Sequence, residues 1–350
     1  MIKNLPLADM QDPDAATPGI SKITLLFALL AIIGVGAGLY AQFVGHHNAF
    51  ANTREMPWGL LIAAYAFFAI TSTGLCLLAA LSHIFGGNSM APLANRMVFL
   101  SIATIMGAFA IIGLELENPH RMLIYNMLSP NLTSNIWWMG TLYSMAVGFM
   151  LVEFFLILTG QYKMAVTLGV MGAIAEVLAN TNLGAVFATQ AGRPFWYSAQ
   201  LPIFFLACAF MSGAAAAILF THLAYKIRNK EMESEIFAGV QTAGKVLALM
   251  LFLISVATLW RFIGFYVGGD EMARTAADSL ISGPLAFNFW VFEITFGLAV
   301  PLLLLAMTKL KSVQMMSTAA VMVLVGQLVS RYDLVVAGQI VPEFTTWSFL

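Results

Sequence analysis

The sequence predicts an all-α polytopic membrane protein with about nine transmembrane helices. Of its 350 residues, 60% are hydrophobic and only 9% are charged, whereas soluble proteins carry about 25% charged residues. Runs of about 20 apolar residues recur along the whole chain, and each is long enough to cross a hydrocarbon core of about 30 Å. No stretch between the runs is large enough for a soluble domain, so chemistry outside the membrane has to come from partner subunits.

The apolar runs define the predicted spans. Their approximate bounds are 22–44, 58–84, 97–116, 136–160, 164–187, 200–225, 245–268, 286–308 and 313–332. The fifth run is the least hydrophobic because Glu176, Asn180, Thr181 and Asn182 interrupt it. We expect a kink or a local unwinding of the helix at these residues.

The distribution of cations predicts the orientation of the spans. With nine spans, all eight lysines fall on one side of the membrane. The loops of the other side hold four arginines, Arg54, Arg121, Arg193 and Arg274. Because cytoplasmic loops are enriched in lysine and arginine, the N-terminus is predicted inside and the C-terminus outside. A count of eight or ten spans would break this segregation.

Composition excludes several functions. A net charge of −1 provides no electrostatic footprint for nucleic acid. Cys76 and Cys208 fall inside apolar runs without paired spacing, so we expect neither a disulfide nor a metal site. Residues Pro6 to Pro18 are polar and acidic, and the first apolar run has no small-residue cleavage site after it, so no cleavable signal is expected.

The most polar stretch between two spans is 114–138, which is predicted to face outside. Glu115 and Arg121 follow directly on an apolar run, where charge is costly and usually functional. Trp137 and Trp138 lie where the next run begins, at the depth where indole rings anchor to an interface. The alternative is an ordinary loop with charged ends. Because two further outer loops, HHNAFANTREMPWG and ATQAGRPFWYSAQ, are also rich in polar and aromatic groups, function is expected at the outer face.

Four polar residues at comparable depth could line one pocket near the outer leaflet. They are Tyr65, Glu115, Asn182 and Arg193. A tyrosine, a carboxylate and an amide around an apolar cleft suit a ligand with two oxygens and a hydrocarbon tail, such as a quinone. The alternative is that Tyr65 is an interface aromatic and Asn182 a helix–helix hydrogen bond.

Deeper charged residues form two further sets. Glu176 near mid-membrane and Glu153 nearer the inside either pair with hydroxyl groups or form a proton path from the pocket to the cytoplasm. Charged residues also recur in the outer thirds of spans seven to nine, where opposite signs at matched depth favour a structural ion-pair network over transport. These residues are Arg261, Glu293, Arg331 and Asp333.

Haem is the competing cofactor. A membrane cytochrome usually holds haem between histidines inside the helix bundle. His83 and His222 lie at the inner rim of their spans, beside loops, and the other three histidines lie in outer loops. We therefore expect no haem in this protein, although a haem-bearing quinol oxidoreductase subunit that uses His83 and His222 remains an alternative.

Three motifs resemble the NrfD/PsrC family, the quinone-handling membrane subunits of polysulfide-reductase-type complexes. The motifs are WGLLIAAYAFFAITSTGLCLLAALSHIFG from Trp58, ENPHRMLIYNMLSPNLTSNIWWMGTLYSMAVGF from Glu117, and GRPFW from Gly192. The similarity covers spans two to six, whereas spans seven to nine match only in general character. The additional first span resembles the longer members of the family.

The resemblance implies a quinone site at the outer end of a four-helix bundle, next to a docked iron–sulphur subunit. The family's polar quinone ligand after the W-G motif is a histidine or an aspartate, and Tyr65 takes that place here. A phenol with a pKa of about 10 is a poor general base at neutral pH, so proton acceptance would fall to Glu115, Glu117 or another neighbour. Asn182 replaces a family tyrosine, which also leaves hydrogen bonding but not proton transfer. Members of the family generally bind no haem.

These inferences predict a membrane-anchor subunit of a respiratory oxidoreductase that exchanges electrons between menaquinone or ubiquinone and a ferredoxin-like [4Fe–4S] subunit. A catalytic subunit of molybdopterin or multihaem type would complete the complex in a prokaryotic cytoplasmic (inner) membrane. The predicted quinone ligands are Tyr65, Glu115, Glu117, Asn182 and Arg193, the predicted proton carriers are Glu153 and Glu176, and the predicted docking residues are Trp58, Arg121, Trp137, Trp138 and Trp196. The alternative is an ion or small-molecule transporter with no redox role.

The predicted organisation has six parts. They are an inner tail (1–21), an additional helix and outer loop (22–57), the quinone-binding core (58–225), a basic inner loop (226–245), C-terminal helices (246–332) and an outer tail (333–350).

Overall fold

The computed structural model describes residues 22–50, 53–84 and 89–341. Within these ranges nine helices are long and apolar enough to cross a membrane, and no residue is in a strand. The all-α polytopic fold is therefore confirmed. The predicted inner tail and residues 342–350 of the predicted outer tail lie outside the described residues.

In order along the sequence the helices are α1 (Lys22–Val44), α2 (His46–Phe50), α3 (Leu60–Ile84), a 3₁₀ turn (Ala91–Leu93), α4 (Ala94–Glu115), α5 (Pro119–Leu128), α6 (Asn135–Leu158), α7 (Tyr162–Ala188), α8 (Leu201–Ile227), α9 (Ser234–Val267), α10 (Glu271–Ile281), a π-helical segment (Asn288–Ala299), α11 (Val300–Thr308) and α12 (Val313–Ile340). The π-helical segment and α11 form one span. Helices α2, α5 and α10 are too short to cross and lie between spans.

Two membrane-spanning helices are longer than the apolar runs that predicted them. Helix α9 begins at Ser234, not at residue 245, because its first turns are amphipathic: Glu235 is exposed while Ile236 is buried. Helix α12 continues to Ile340, beyond the predicted end at 332, because the polar residue Asp333 is buried inside the protein and does not mark a surface. Hydropathy alone misses both extensions.

The predicted break in the fifth span is wrong. Helix α7 is continuous from Tyr162 to Ala188, through all four polar residues that suggested a kink. The hydroxyl of Thr181 donates to the Val177 carbonyl at 2.8 Å, which satisfies it within the helix. Polar side chains are therefore accommodated in this helix without unwinding of its backbone.

The spans form two groups around α3. Helices α3, α4, α6 and α7 pack together as the N-terminal bundle, and α8, α9, the π-helical segment with α11, and α12 pack as the C-terminal bundle. Helix α3 also contacts α8 and α12, so it joins the two bundles. Helix α1 packs against α4 and is exposed along most of its length.

The two bundles meet at a close helix crossing. A Cβ atom at Gly74 of α3 would lie 1.8 Å from the Ala209 carbonyl oxygen of α8, and one at Gly213 would lie 2.4 Å from the Gly74 carbonyl carbon. Small residues let membrane helices approach to backbone contact. Because neither position has room for a side chain, this crossing fixes how the N-terminal bundle sits on α8.

Candidate functional site

Tyr65 lies in the interior of the N-terminal bundle. It follows the start of α3 by little more than one turn, and only 4% of it is exposed. Tyr143 of α6 and Glu176 of α7, each 0% exposed, lie within electrostatic range of it. Three helices therefore bring two phenols and a carboxyl group together in the bundle.

Glu176 is held by hydroxyl groups from the facing helix. Thr73 Oγ1 donates to Glu176 Oε2 at 2.6 Å, and Ser72 Oγ donates to Glu176 Oε1 at 3.2 Å. Ser72 Oγ also lies 2.9 Å from Ser101 Oγ of α4, and Ser101 Oγ contacts Met150 Sδ of α6 at 3.2 Å. This network reaches all four helices, so the hydroxyl pairing expected as one alternative for Glu176 is present.

Two buried polar groups near Glu176 are incompletely paired. Both side-chain polar atoms of Asn180 are buried without a hydrogen-bond partner, and the buried hydroxyl of Tyr143 lies close to the Thr73 hydroxyl that donates to Glu176. Asn180 lies one turn outward from Glu176 on the same face of α7. An unsatisfied buried polar group costs about 1–3 kcal/mol, so these groups are suited to hydrogen-bond a ligand or water.

The second predicted proton carrier, Glu153, lies nearer the inner end of the bundle. Its Oε1 is 3.6 Å from His83 Nδ1 of α3, and only 2% of Glu153 is exposed. Gly169 of α7 makes room for the carboxyl group, since a Cβ atom there would lie 2.3 Å from Glu153 Oε1. Cys76 lies between the two carboxyl groups and is within electrostatic range of both.

Together these residues form a line across the bundle, which we call the polar file: Tyr65, Tyr143, Asn180, Glu176, Glu153 and His83. At 1.5 Å per residue, Tyr65 and His83 lie about 27 Å apart along α3, close to the thickness of a hydrocarbon core. Gly169 of α7 lies beside the Glu153 carboxyl group, and Glu176 follows Gly169 along the same helix. At 1.5 Å per residue, Glu176 is therefore about 10 Å further outward along the bundle axis than Glu153. Direct hydrogen bonds do not span that gap, so proton transfer along the file requires water.

The predicted quinone ligands do not all converge on Tyr65. Glu115 is the last residue of α4 and is half-buried. Phe68 of α3 packs against Gly107 of α4, and this contact aligns the two helices. At 1.5 Å per residue, the alignment places Glu115 about 8 Å further outward along the bundle axis than Tyr65. Glu117 is exposed in the loop that follows.

Helices α1 and α2 complete the surroundings of Glu115. His46 Nε2 donates to the Leu114 carbonyl at 2.7 Å, and Gln42 Nε2 donates to the Leu116 carbonyl at 2.6 Å. His46 is also within electrostatic range of Glu115. The end of α4 is therefore capped by side chains, and Glu115 and His46 form a polar pair outward of the polar file.

Asn182 and Arg193 have structural partners. Asn182 Nδ2 donates to the Asn135 carbonyl at 2.6 Å, which ties α7 to the start of α6 as the alternative for Asn182 predicted. The Arg193 guanidinium is 7% exposed and donates to the carbonyls of Glu55 at 2.9 Å, Gln339 at 3.2 Å and Val341 at 3.1 Å. These contacts clamp the end of α12 to the loop that precedes α3 and to the loop that follows α7.

The predicted docking tryptophans differ in exposure. Trp196 is 3% exposed, stacks on the half-buried Trp58 at 5.5 Å and donates its indole N–H to the Leu334 carbonyl at 2.7 Å. Trp137 donates to the Asn126 carbonyl and is half-buried. The rings of Trp58 and Trp196 mainly pack the GRPFW loop onto the protein.

A large apolar surface lies on the loop between α4 and α6. Arg121 and 37% of Trp138 are exposed there. The most exposed apolar side chains of the same segment are Tyr125, Met127, Leu128 and Leu132, at 58–82%. We call these six residues the outer patch. In a membrane protein such exposed apolar residues face either lipid or a partner subunit, and Arg121 adds an exposed charge to the same segment.

The charged residues of the C-terminal bundle cluster as expected, but without direct ion pairs. Glu293 lies within electrostatic range of both Arg261 and Arg331, whereas among the described residues none of Arg261, Glu293, Arg331 and Asp333 has an opposite charge within 4.0 Å. Arg331 Nη2 instead contacts Gln327 Oε1 at 3.2 Å, Asp333 Oδ1 accepts from Asn288 at 3.0 Å, and Arg261 lies over the Phe195 ring at 4.5 Å. Arg261, Glu293 and Asp333 line a cavity of about 10 Å³ instead of pairing.

The two histidines considered for haem belong to different clusters. His83 faces Glu153, whereas His222 lines a cavity with Lys226 at the end of α8. In the described part of the protein, no group of three or more His, Cys, Asp or Glu side chains could hold a metal ion.

Sequence reasoning misses several residues of this region. It does not single out Tyr143 or the hydroxyls of Ser72, Thr73 and Ser101, because isolated hydroxyl groups in apolar runs are common and usually bond to their own helix. A usable signal exists for Asn180, which is four residues from Glu176 and so shares its helix face.

A sequence model of the family described as "Polysulphide reductase, NrfD" matches residues 48–343. The Hdr-like menaquinol oxidoreductase integral membrane subunit of Archaeoglobus fulgidus is 24% identical over 91% of this protein and 80% of that one. A selenate reductase subunit of Mesobacillus selenatarsenatis is 22% identical over 91% and 82%. A polysulfide reductase chain of Wolinella succinogenes is 23% identical over 82% and 95%. The family match includes spans seven to nine, which the motifs alone cover poorly.

Proposed function

This protein belongs to the polysulphide reductase NrfD family, and from that premise we propose that it is the quinone-reactive membrane anchor of a respiratory oxidoreductase. It exchanges electrons between menaquinone or ubiquinone and a ferredoxin-like [4Fe–4S] subunit, which serves a catalytic subunit of molybdopterin or multihaem type. The name of one relative, a menaquinol oxidoreductase subunit, supports the quinone. The names of the two reductase relatives support a catalytic partner and give no support to a transporter.

The observation that carries the proposal is the outer half of the polar file. Tyr65 and Tyr143 lie within electrostatic range of each other and of Glu176, and Asn180, one turn from Glu176 along α7, has side-chain polar atoms with no hydrogen-bond partner. Hydroxyl and amide N–H groups are the donors that the two carbonyl oxygens of a quinone require. The residues present therefore fit a quinone head group, with Tyr65 and Tyr143 as hydrogen-bond donors.

Protons have to enter or leave as quinone and quinol interconvert, since two accompany each electron pair. The phenols orient the head group, and the carboxyl groups hold the protons. Glu176 is the nearest carboxyl group on the inner side, and the Glu115–His46 pair lies outward. We propose that Glu176 and Glu153 carry protons inward through water.

The outer patch is the proposed docking surface for the iron–sulphur subunit. It lies at the same end of the N-terminal bundle as Tyr65, so a docked cluster would be near the quinone. The lysines of the described residues lie at the opposite end of the spans, which supports a cytoplasmic location for that end. The protein is a multi-pass membrane protein, and we place it in a prokaryotic cytoplasmic membrane with the outer patch facing outside.

The test is to tag the full-length protein, solubilise it gently from its native membrane and identify the co-purifying proteins by mass spectrometry. We expect a stoichiometric subunit with several CxxCxxC motifs and a catalytic subunit. A photoactivatable quinone added to the same complex should label peptides from α3, α6 and α7. A homo-oligomer without an iron–sulphur subunit, or labelling confined to the C-terminal bundle, would contradict the proposal.

A further inference from the structure

The inner end of α8 carries an open cavity of about 410 Å³, which is within the range of small-molecule sites. Its lining combines cationic, polar and apolar side chains and contains no carboxylate: His222, Tyr225, Lys226, Lys230, Met232, Val313 and Gln314. The cavity is separate from the polar file and from the outer patch, because it lies where α8 ends and α12 begins.

A tight turn builds the cationic wall of this cavity. Helix α8 ends at Ile227, and Asn229 adopts a left-handed conformation with φ 50°. The Lys230 N–H then donates to the Tyr225 carbonyl at 3.1 Å, and the Asn229 N–H donates to the Lys226 carbonyl at 3.2 Å. This C-terminal helix cap folds the backbone back over α8. Lys230 is thereby brought to the same cavity as Lys226, although the two are four residues apart across a helix end.

The lysines have no opposite charge of their own. Among the described residues, neither Lys226 nor Lys230 forms an ion pair within 4.0 Å. An adjoining cavity, which shares Tyr225 and Lys230, adds Arg96 and Arg228 and also Glu231 and Glu233. Cations therefore exceed carboxylates over the two cavities together, and the charged side chains of the larger cavity are all basic.

The position of the cavity selects the class of anion. It lies at the end of membrane-spanning helices, at the level of lipid head groups, where basic pockets between helices bind anionic phospholipids. Met232 and Val313 add an apolar side to the lining, which suits the glycerol and first acyl carbons of a lipid but not a free inorganic ion. A cavity of this volume is also far larger than one phosphate ion needs.

We propose that this cavity binds the phosphate head group of an anionic phospholipid, with Lys226 and Lys230 as its charge partners and Tyr225 and Gln314 as neutral hydrogen-bond partners. The bound lipid would bridge the end of α8 to the start of α12. The site would thus join two helices of the C-terminal bundle, one of which, α8, also crosses α3.

The test uses the full-length protein in detergent and in nanodiscs, with native mass spectrometry and thermal unfolding as readouts. The variant is Lys226→Gln with Lys230→Gln, and the control is Lys163→Gln with Lys245→Gln, which removes the same charge from exposed lysines at the same end of the spans. Each protein is titrated with phosphatidylglycerol, with phosphatidylcholine and with inorganic phosphate.

We expect the unmodified protein and the control to retain phosphatidylglycerol in preference to phosphatidylcholine and to be stabilised by it. The double variant should bind it roughly 30-fold more weakly, which corresponds to about 1 kcal/mol for each lysine. Equal retention by the double variant would overturn the proposal. Stabilisation by inorganic phosphate that excludes the lipid would also overturn it, because it would assign the site to a free anion.

Discussion

Thr73 Oγ1 donates a 2.6 Å hydrogen bond to Glu176 Oε2 near the middle of the membrane, which joins α3 to α7. Ser72, the neighbouring residue, reaches the other carboxyl oxygen at 3.2 Å. A glutamate with two hydroxyl donors is a helix-to-helix bond and also a group that can hold a proton. The two roles respond differently to substitution.

Glu176→Gln separates the two roles. The amide keeps an oxygen that can accept from Thr73, so the bundle should assemble, but it cannot carry a proton. We expect the membrane potential generated per electron to fall, while quinone turnover falls less. Glu235→Gln, at an exposed position of α9, is the control for lost charge. An unaltered potential per electron would remove Glu176 from the proposed proton path.

Tyr65→Phe removes a single hydroxyl from the outer half of the polar file. If Tyr65 donates to a quinone oxygen, its loss should cost about 1 kcal/mol, or roughly fivefold to tenfold in turnover, without loss of assembly. Turnover of a soluble quinol analogue by the purified complex measures this. Tyr197→Phe, at an exposed loop residue, should leave turnover unchanged. Equal rates for both variants would exclude Tyr65 from the site.

The fold was largely predictable, because the length and spacing of apolar runs determine the number of spans. The composition of the site was only partly predictable. A helix pattern shows which residues share a face, as for Glu176 and Asn180, but not which helices face one another. The contact of His83 with Glu153 joins α3 to α6 across the bundle, and no local pattern encodes it.

The same limit explains why the clustered charges of the C-terminal bundle do not form direct ion pairs. Matched depth suggested that Arg331 and Asp333 pair with opposite charges. Depth describes only the position of a residue along the membrane normal. The rotation of α12 about its own axis then determines the partners, and it directs Arg331 to Gln327 and Asp333 to Asn288. Likewise Arg193 lies in the loop between α7 and α8, at the same end of the spans as Tyr65, yet it is directed to backbone carbonyls near Gln339.

Gly169→Ala should displace the carboxyl group of Glu153. The added Cβ would lie 2.3 Å from Glu153 Oε1, so the carboxylate has to move from His83. We expect slower proton uptake during quinone turnover, with little change in the amount of assembled protein. Gly148→Ala, whose Cβ would meet nothing within 4 Å, is the control on a neighbouring helix. If both variants take up protons at the normal rate, the position of Glu153 does not matter for transfer.

Gly213→Val should disrupt the crossing of α3 and α8. The new side chain would overlap the backbone at Gly74, where even a Cβ comes within 2.4 Å. Overpacking costs about 1–3 kcal/mol when side chains can yield, and backbone yields less readily. The level of folded protein in the membrane and its melting temperature measure the effect. Gly264→Ala, with open space around its Cβ, is the control and should behave as the unmodified protein does. Normal accumulation of Gly213→Val would show that the crossing is dispensable.

Arg193→Lys tests whether Arg193 is a clamp or a quinone ligand. Lysine keeps the charge but cannot present a planar fork to the carbonyls of Glu55, Gln339 and Val341 at once. Each lost charge-assisted hydrogen bond is worth about 1.5–3 kcal/mol, so the melting temperature should fall by several degrees. Quinone turnover per assembled complex should stay normal, because the guanidinium contacts α12 and the outer loops, not the polar file. Arg121→Lys, at an exposed position, should leave the melting temperature of the isolated protein unchanged. A stable Arg193→Lys protein with impaired turnover would reverse the assignment and place Arg193 at the quinone.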